Sequence, residues 1–529
     1  MLGRASDYVL AAASGVLLAL SFPKFGHPAF SWIALAPLLI ALSANSEPRI
    51  PTSRSRSGLR AFTLGLTTGA VYFTGTLYWI TLVVVTYGNL QWWVGTLVNA
   101  ALIAYLSLFP ACFAVIMRRI VIAYGPAALL ASPLVWVATE MGRMDLLTGF
   151  PWVLLGYSQV TTLPIAQIAS LVGVYGVSAL VVSVSAVAAL FATTSIARPA
   201  LVRSSRWSRW APALVVGLLL GAVALWGSLR VKRGELTRLG DPVRVGLIQG
   251  NVDQAVKMEL ADARSIFESY LRMTRQAIGA GAELVVWPES SAPFLFEEDR
   301  PSANRIRAIA REARVHIVVG SDQIQWGPHR VPVTYYNSAF LVRPDGTVPE
   351  AYRKMHLVPF GEYVPLKRLL FFAAPLVEAV GPFSCGERAV LLPVGPHPIS
   401  VAICYEVVYP SLVRQFVSGG SELLTTITND AWFGRTSAPY QHFAQASMRA
   451  IEEGRYLVRS ANTGISGIVD PYGRVLERSD IYQQTVIVGE ARFLRESTFY
   501  ARHGDVFAYA SLAMTLALLV ASRRRVQWI

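Results

Sequence analysis

Three short segments carry the residues best suited to chemistry. Glu283-Leu-Val-Val-Trp-Pro-Glu-Ser290 is an apolar run that stops at Pro288 and presents Glu289. Tyr352-Arg-Lys-Met-His-Leu-Val-Pro-Phe-Gly-Glu-Tyr363 packs polar side chains, Lys354 among them, between apolar positions. Ser400-Val-Ala-Ile-Cys-Tyr-Glu406 is a second apolar run, and it ends at Cys404. A thiol attacks only as its thiolate and so needs a base. A carboxylate in an apolar pocket has a raised pKa and can take that proton near neutral pH. The tetrahedral intermediate then needs a fixed positive charge or N–H donors. Glu, Lys and Cys, in that chain order and at strand ends, supply the three roles. Each residue alone has an ordinary reading: Glu289 as a helix cap, Lys354 as a solvated cation, Cys404 as a buried structural thiol. Together they favour nucleophilic catalysis. No Ser-His-Asp pattern competes, and the seven histidines show no metal-ligand spacing, so neither metal nor cofactor is expected.

Such residues need a scaffold of buried strands. Val243–Gln249, Glu283–Trp287, His316–Gly320, Ser338–Val342, Ile399–Ile403, Leu423–Ile427 and Leu457–Ser460 read as strands. Asp262–Ala280 and Ala303–Ala313 have helical apolar spacing. Alternation of this kind predicts an α/β domain over residues 230–504, with ligand chemistry at its strand ends.

The remainder is of another kind. Across 529 residues, 53% are hydrophobic and only 15% charged, and the mean hydropathy is +0.44. A soluble chain keeps about a quarter of its residues charged, so disorder and an all-soluble enzyme are excluded. Ala61–Val84, Gln91–Met117, Ile120–Thr139, Pro164–Ala197 and Ala211–Leu229 are each long enough to span a bilayer. Tyr8–Phe22 and Ala29–Ala44 form two short spans or one hairpin, and Val506–Ser522 gives a last span, for about eight in all. The expected division is a membrane domain over 1–229, the α/β domain over 230–504, and a final span with a basic tail over 505–529. Arginines fall in every second loop: Arg49, Arg54, Arg56 and Arg60, then Arg118 and Arg119, then Arg198, Arg203, Arg206 and Arg209, and finally Arg523 to Arg525. This pattern places both termini in the cytoplasm and the α/β domain outside. The net charge of +14 therefore reads as orientation and lipid contact, not nucleic-acid binding. Three cysteines make no disulfide framework, and Cys112 reads as a buried hydrophobe. Trp92, Trp93 and Trp152 read as interfacial anchors.

The three chemical segments resemble the carbon–nitrogen hydrolase (nitrilase) superfamily, whose triad is Glu-Lys-Cys. The membrane half narrows the resemblance to the apolipoprotein N-acyltransferases. It is carried by Ser21-Phe-Pro23, Thr148-Gly-Phe-Pro-Trp152, Gly156-Tyr-Ser-Gln159, Gln249-Gly-Asn251, Tyr336-Asn-Ser338, Thr428-Asn-Asp-Ala-Trp-Phe-Gly434 and Arg459-Ser-Ala-Asn-Thr-Gly464. The resemblance implies a multi-span α-helical membrane domain joined to a nitrilase-like αββα sandwich. It assigns Glu289 as general base, Lys354 as oxyanion-stabilising cation and Cys404 as nucleophile carrying an acyl thioester. Glu362 matches a second active-site glutamate, and Asn337 a supporting residue. Tyr405 and Glu406 follow the nucleophile where a backbone N–H joins the oxyanion hole, and Trp432 shapes the cavity.

The activity so implied moves a fatty acyl chain from a membrane phospholipid to the N-terminal amine of a diacylglyceryl-cysteine apolipoprotein. It would do so at the outer face of a bacterial cytoplasmic (inner) membrane. Two departures accompany the match: Lys257 is followed by Met258 where relatives often carry tryptophan, and Cys385 has no role in the pattern. Leu366–Val377, with Leu369, Leu370, Phe371 and Phe372, reads equally as a lipid-dipping lid or as a packed surface helix. Two other functions fit parts of the chain. One is a membrane-tethered amidase or nitrilase acting on a small C–N substrate. The other is a non-catalytic lipoprotein-binding or transport protein.

Overall fold

The computed structural model describes residues 2–43, 54–88, 90–196, 206–253, 262–359, 361–363 and 383–527. The candidate lid at Leu366–Val377, the Lys257-Met258 pair and Arg49, Arg198 and Arg203 lie outside these. The chain divides into two compact units. One comprises Met1–Thr81, Trp93–Lys232 and His503–Ile529, and the other Leu82–Trp92 and Arg233–Arg502.

The first unit is helical: α1 Leu2–Ala19, α2 Ala36–Ser43, α3 Arg54–Leu77, α4 Trp79–Tyr87, α5 Trp92–Tyr124, α6 Ser132–Asp145, α7 Ala169–Ile196, α8 Arg206–Arg233 and a C-terminal helix Val506–Gln527. Helix α4 crosses the division between units. Among the described residues α5, α7, α8 and the C-terminal helix are long and apolar enough to cross a membrane, and α3 with α4, bent by 55°, makes a fifth if counted as one span. The count of about eight also took in shorter runs. Helix α2 has only eight residues, and the run expected at Ile120–Thr139 is cut at Gly125-Pro126, where a 3-10 turn intervenes. Arg118 and Arg119 consequently lie inside α5 and not in a loop. The buried Arg118 guanidinium donates to the carbonyl of Leu42 at the end of α2, at 2.7 Å, where that helix lacks its own donors.

Two further expectations are corrected here. Cys112 faces outward from α5 instead of being buried. Trp152 is no interfacial anchor: it is 1% exposed and packs against Trp79 with ring centroids 5.2 Å apart. Trp92 and Trp93 are exposed. The Trp152 loop is held from inside by charge. Arg143 donates to the carbonyls of Trp152 and Val153, at 2.7 and 3.3 Å, and Glu140 accepts the Leu155 N–H at 2.7 Å. An irregular backbone in an apolar unit must find partners in the protein, and these two charges provide them.

The second unit contains two six-stranded sheets. One is ordered β12-β1-β2-β3-β4-β5, from β1 Asp241–Gln249, β2 Leu284–Val286, β3 His316–Trp326, β4 Pro332–Val342, β5 Tyr352–Arg353 and β12 Thr485–Phe493. The other is ordered β11-β10-β9-β8-β7-β6, from β6 Leu392–Val394, β7 His397–Ile403, β8 Leu423–Thr428, β9 Leu457–Ala461, β10 Gly467–Val469 and β11 Val475–Arg478. The central pairs β1–β2–β3 and β7–β8–β9 are parallel, and the outer pairs antiparallel. Helices α9 Ala263–Gly279 and α10 Arg300–Ala313 cover the first sheet, and α11 Pro410–Ser418 and α12 Ala438–Glu453 the second, while β1 faces β9 and β4 faces β7. This is the αββα sandwich.

Alternation along the strands sorts the side chains. Ile248, Val285, Trp287, Ile317, Val319, Phe340 and Val342 pack with Phe267, Tyr270, Leu271 and Ile306 of the covering helices. The opposite face looks toward the second sheet, and there polar groups stitch the layers together. Buried Gln249 accepts from Ser466 and Ser479, at 2.6 and 2.8 Å, and donates to the carbonyls of Asp480 and Gln483.

Helix α12 is buried along all but Tyr440 and Ala444, so charges at its C-terminal end are interior ones. Glu453 has no exposure, and among the described residues neither carboxylate oxygen has a hydrogen-bond partner. Burial, reinforced by neighbouring Glu452 and opposed by Arg449, Arg455 and Arg414, pushes its carboxyl up to about 8. The folded protein therefore holds a proton that the unfolded chain releases near 4.5, and the stability this gives below that value is lost as pH rises through 8. Glu453→Gln should gain on the wild type steadily from pH 5 to pH 8 in melting temperature of the detergent-solubilised protein. A pH-independent difference would show that Glu453 is ionised throughout.

Candidate active site

Glu289 lies just beyond β2, on a segment that crosses Gly320 of β3 at close range. A Cβ on Gly320 would meet the Pro288 carbonyl oxygen at 2.2 Å and the Glu289 Cα at 2.9 Å, so only glycine allows the crossing. The Glu289 carboxylate is buried and held at both oxygens. Asn337 Nδ2 donates to Oε1 at 2.7 Å, and the backbone N–H of Asn429 donates to Oε2 at 2.8 Å. Glu289 caps no helix: Asp299 caps α10, accepting from the Ser302 N–H.

Lys354 follows β5, the edge strand beside β4, and its N–H donates to the Asn337 carbonyl at 2.8 Å. Asn337 thus fixes the lysine backbone with one group and the Glu289 carboxylate with another. The Lys354 ammonium is 1% exposed, not solvated. It sits 2.7 Å from Glu362 Oε1 and 3.4 Å from Glu289 Oε1, while Glu362 Oε2 accepts the Val358 N–H at 2.7 Å. Burial alone would lower the lysine pKa. The charges of Glu362 and Glu289, and of Cys404 when ionised, outweigh it and raise the net value, so the group stays charged.

Cys404 ends β7 with φ at +53°, in the left-handed region that residues with a Cβ rarely occupy. A single 3-10 turn, Cys404–Val408, follows. Glu406 anchors that turn: Oε1 accepts from the Tyr352 hydroxyl at 2.7 Å and the N–H groups of Met355 and His356 at 2.7 and 3.1 Å, and Oε2 from the Ile403 N–H at 2.7 Å. Tyr405 is buried and meets Tyr409 edge to face at 5.2 Å. His356 lies tilted against Tyr409, with ring centroids 3.9 Å apart; burial and the nearby Lys354 charge lower it to about 4, so it is neutral. Burial pushes the Cys404 thiol well up, with Glu289 adding to the effect and Lys354 opposing it. The resting group at neutral pH is the thiol. Cys404 and Cys385 are both unpaired.

Behind Cys404 is a group that spacing alone did not single out. Asp430 is buried with Arg459, at 3.0 Å, and accepts from the Thr428 hydroxyl at 2.8 Å. Burial pushes its carboxyl up, but Arg459 and His442 outweigh that and bring it to about 2. His442, on α12, points Nε2 at the Cys404 carbonyl oxygen at 3.1 Å, while Nδ1 faces Arg459 at 3.0 Å and Asp430 at 3.1 Å. Gly464 makes room for this group, since a Cβ there would fall 2.1 Å from Asp430 Oδ2. Residue spacing tests a histidine such as His442 only as a metal ligand, and its contact with a backbone carbonyl 38 residues away leaves no mark there. Among the described residues no group of His, Cys, Asp and Glu side chains is arranged to hold a metal ion.

Trp432, in the loop after β8, lies beside Tyr87 with ring centroids 4.6 Å apart, and the Tyr87 hydroxyl donates to the Ala431 carbonyl at 2.9 Å. Both belong to the second unit, which takes in Leu82–Trp92. Glu289, Lys354, Glu362 and Asn337 form one hydrogen-bonded cluster whose charges act on Cys404, and Glu406 and Tyr405 shape the turn after it. Such an arrangement can deprotonate a thiol during attack and stabilise an oxyanion beside a fixed ammonium.

Family comparison agrees in both halves. A model described as the apolipoprotein N-acyltransferase N-terminal domain matches residues 14–187, and one described as carbon-nitrogen hydrolase matches residues 244–493. A protein of Geobacter metallireducens named apolipoprotein N-acyltransferase is 43% identical over 522 residues, which is 98% of this chain and 96% of that protein. One of the same name from Methylococcus capsulatus is 33% identical over 525 residues, again 98% and 96%. The chain belongs to the apolipoprotein N-acyltransferase family. Among solved structures, the amidase from Nesterenkonia sp. AN1 is 21% identical, with a TM-score of 0.38, covering 51% of this chain and 98% of that one. Membership makes the chain an acyltransferase with a nitrilase-like domain and several apolar helices.

With the thiol as resting state, reaction at Cys404 should depend on a base. Alkylation of Cys404 by iodoacetamide at pH 7 is expected to fall by about 100-fold in Glu289→Gln. Peptide mass spectrometry reads it, with exposed Cys385 as internal control. Equal labelling in variant and wild type would remove Glu289 from that role.

Proposed function

We propose that this acyltransferase transfers a fatty acyl chain from a membrane phospholipid to the N-terminal amine of a diacylglyceryl-cysteine apolipoprotein, through a thioester on Cys404. Cys404 Sγ attacks the ester carbonyl of the phospholipid as Glu289 takes the thiol proton. The oxyanion is stabilised by the Lys354 ammonium and the N–H of Tyr405. As the intermediate collapses, the ester C–O bond breaks and the departing alkoxide takes the proton from Glu289, leaving as lysophospholipid. The lipoprotein amine then attacks the thioester carbonyl and gives a proton to Glu289. The C–S bond breaks, the thiolate is reprotonated and an amide remains. Glu362 and Asn337 keep Lys354 and Glu289 in place throughout, and Glu406 holds the turn. Trp432 shapes the acyl cavity.

What supports the reading is one buried cluster of glutamate, lysine and cysteine in a chain whose likeness to proteins named apolipoprotein N-acyltransferase extends over both halves. An amidase acting on a small C–N substrate would use the same three residues but needs one membrane anchor at most. The thioester route demands scarcity of water, because hydrolysis competes with aminolysis. A multi-span domain over 1–229 answers that demand by keeping two acylated substrates in the plane of the bilayer. The α/β domain over 230–504 would face outward from the cytoplasmic (inner) membrane, with both termini inside.

Incubation of the purified protein with phospholipid and no acceptor is the decisive test. Intact mass should rise by one fatty-acyl group, mapped to Cys404, absent in Cys404→Ala and removed by neutral hydroxylamine. Absence of the adduct when lipid is bound would sink the thioester route and return the tethered amidase to first place.

A further inference from the structure

We infer that His442 is a positioning residue, which orients the Cys404–Tyr405 peptide through the Cys404 carbonyl and so aims the Tyr405 N–H at the oxyanion. The inference rests on the proposed role of Cys404 as nucleophile. Its starting point is the strained backbone at the nucleophile. A φ of +53° at a residue with a Cβ persists only where its surroundings determine it. Glu406 holds the turn from one side, through the Ile403 N–H before Cys404 and the Tyr352 hydroxyl and backbone of 355–356 opposite. None of those bonds reaches the peptide between Cys404 and Tyr405. His442 does, with Nε2 at 3.1 Å from the Cys404 carbonyl oxygen.

A peptide unit is planar and trans, so its C=O and N–H point in opposite directions. Fixing the carbonyl therefore fixes the Tyr405 N–H. A carbonyl oxygen only accepts, so the contact requires the histidine proton on Nε2. The neighbours are compatible with that tautomer. Nδ1 has Arg459, which can only donate, at 3.0 Å and Asp430 Oδ1, which accepts, at 3.1 Å. Because Asp430 is already paired with Arg459 and Thr428, the single ring proton goes to Nε2, whose partner is the Cys404 carbonyl, and the Nδ1 lone pair receives Arg459. The imidazole is wholly buried; burial and the Arg459 charge lower its pKa, outweighing Asp430, so the ring carries one proton. Asp430 holds Arg459 in place at 3.0 Å. The same chain segment meets the other partner of the reaction, because Asn429 donates its N–H to Glu289. Consecutive residues after β8 thus locate the base directly and the oxyanion donor through His442.

The test compares full-length wild type, His442→Asn and His442→Gln in detergent, each counted by its titratable Cys404 thiol. Asparagine is too short to reach the carbonyl, whereas the glutamine amide can place a donor where Nε2 stands. His442→Asn should form the acyl-enzyme from phospholipid about 10- to 100-fold more slowly, with KM for the lipid unchanged. Alkylation by iodoacetamide, which develops no oxyanion, should stay within about threefold of wild type. His442→Gln should recover most of the acylation rate. A parallel fall in acylation and alkylation would mark a purely structural histidine and overturn the inference, as would His442→Gln behaving like His442→Asn, or neither variant differing from wild type. If neither folds, Arg459→Lys tests the same link and should slow acylation but not alkylation; equal effects on both would again overturn it. Wild type that forms no acyl-enzyme fails the proposed function itself, whereas normal wild type with indistinguishable variants fails this inference alone.

Discussion

A lysine ammonium with 1% of its surface exposed must remain charged almost without water, and the rest of the site follows from that. Desolvation of an ion costs several kcal/mol even after relaxation, and a lone buried lysine would release its proton instead. Two carboxylates prevent this, at 2.7 and 3.4 Å. They carry two negative charges against one positive, so they in turn need neutral donors. Asn337 and the N–H groups of Asn429 and Val358 supply them. Those donors come from β4, from the end of β8 and from the loop after β5. Both sheets must therefore be in register before the lysine can be buried.

Burial sets the state of the thiol, and the negative charge of Glu289 adds to it. Cys404 is beside the lysine but also beside Glu289, and within an apolar domain burial dominates both. A site with a preformed thiolate would need the positive charge to win. Here it does not, so on the proposed mechanism the base would take the proton as the sulfur attacks. The cost in nucleophilicity brings a benefit in selectivity, because an un-ionised thiol is protected from oxidation and stray electrophiles. The ammonium is held chiefly by Glu362, at 2.7 Å; under the proposed mechanism, a lysine paired only with Glu289 would lose that partner's charge each time the base took up a proton.

Much of this was legible in residue order. The strands that present Glu289 and Cys404 are short, apolar and terminated by turn-forming residues, and they appear within a residue or two of their expected limits. What stayed hidden was hidden for physical reasons. Strand β3 runs six residues past its expected end at Gly320, because Ser321, Asp322 and Gln323 look like a loop until the hairpin with β4 pairs them. Helix α12, buried on nearly all sides, was not among the expected helices. With it went His442, whose significance depends on a backbone carbonyl 38 residues away. In the helical unit, Arg118 marked a loop by charge alone, yet in place it satisfies the end of a neighbouring helix.

Those polar groups share one rule with the active site, applied to different ends. Arg118 and Arg143 bind carbonyls that no helix can satisfy, and Glu140 binds an amide. Each such charge completes a backbone that would otherwise be left unpaired in an apolar unit. Behind Cys404 the roles are divided differently. Arg459 is balanced by Asp430, and it is neutral His442 that reaches the backbone carbonyl. A charged donor placed directly on that carbonyl would pull electron density from the peptide and add its own field beside Lys354. The neutral ring delivers a direction without a charge. Under the proposed mechanism, that separation would leave Lys354 as the positive centre that the developing oxyanion meets.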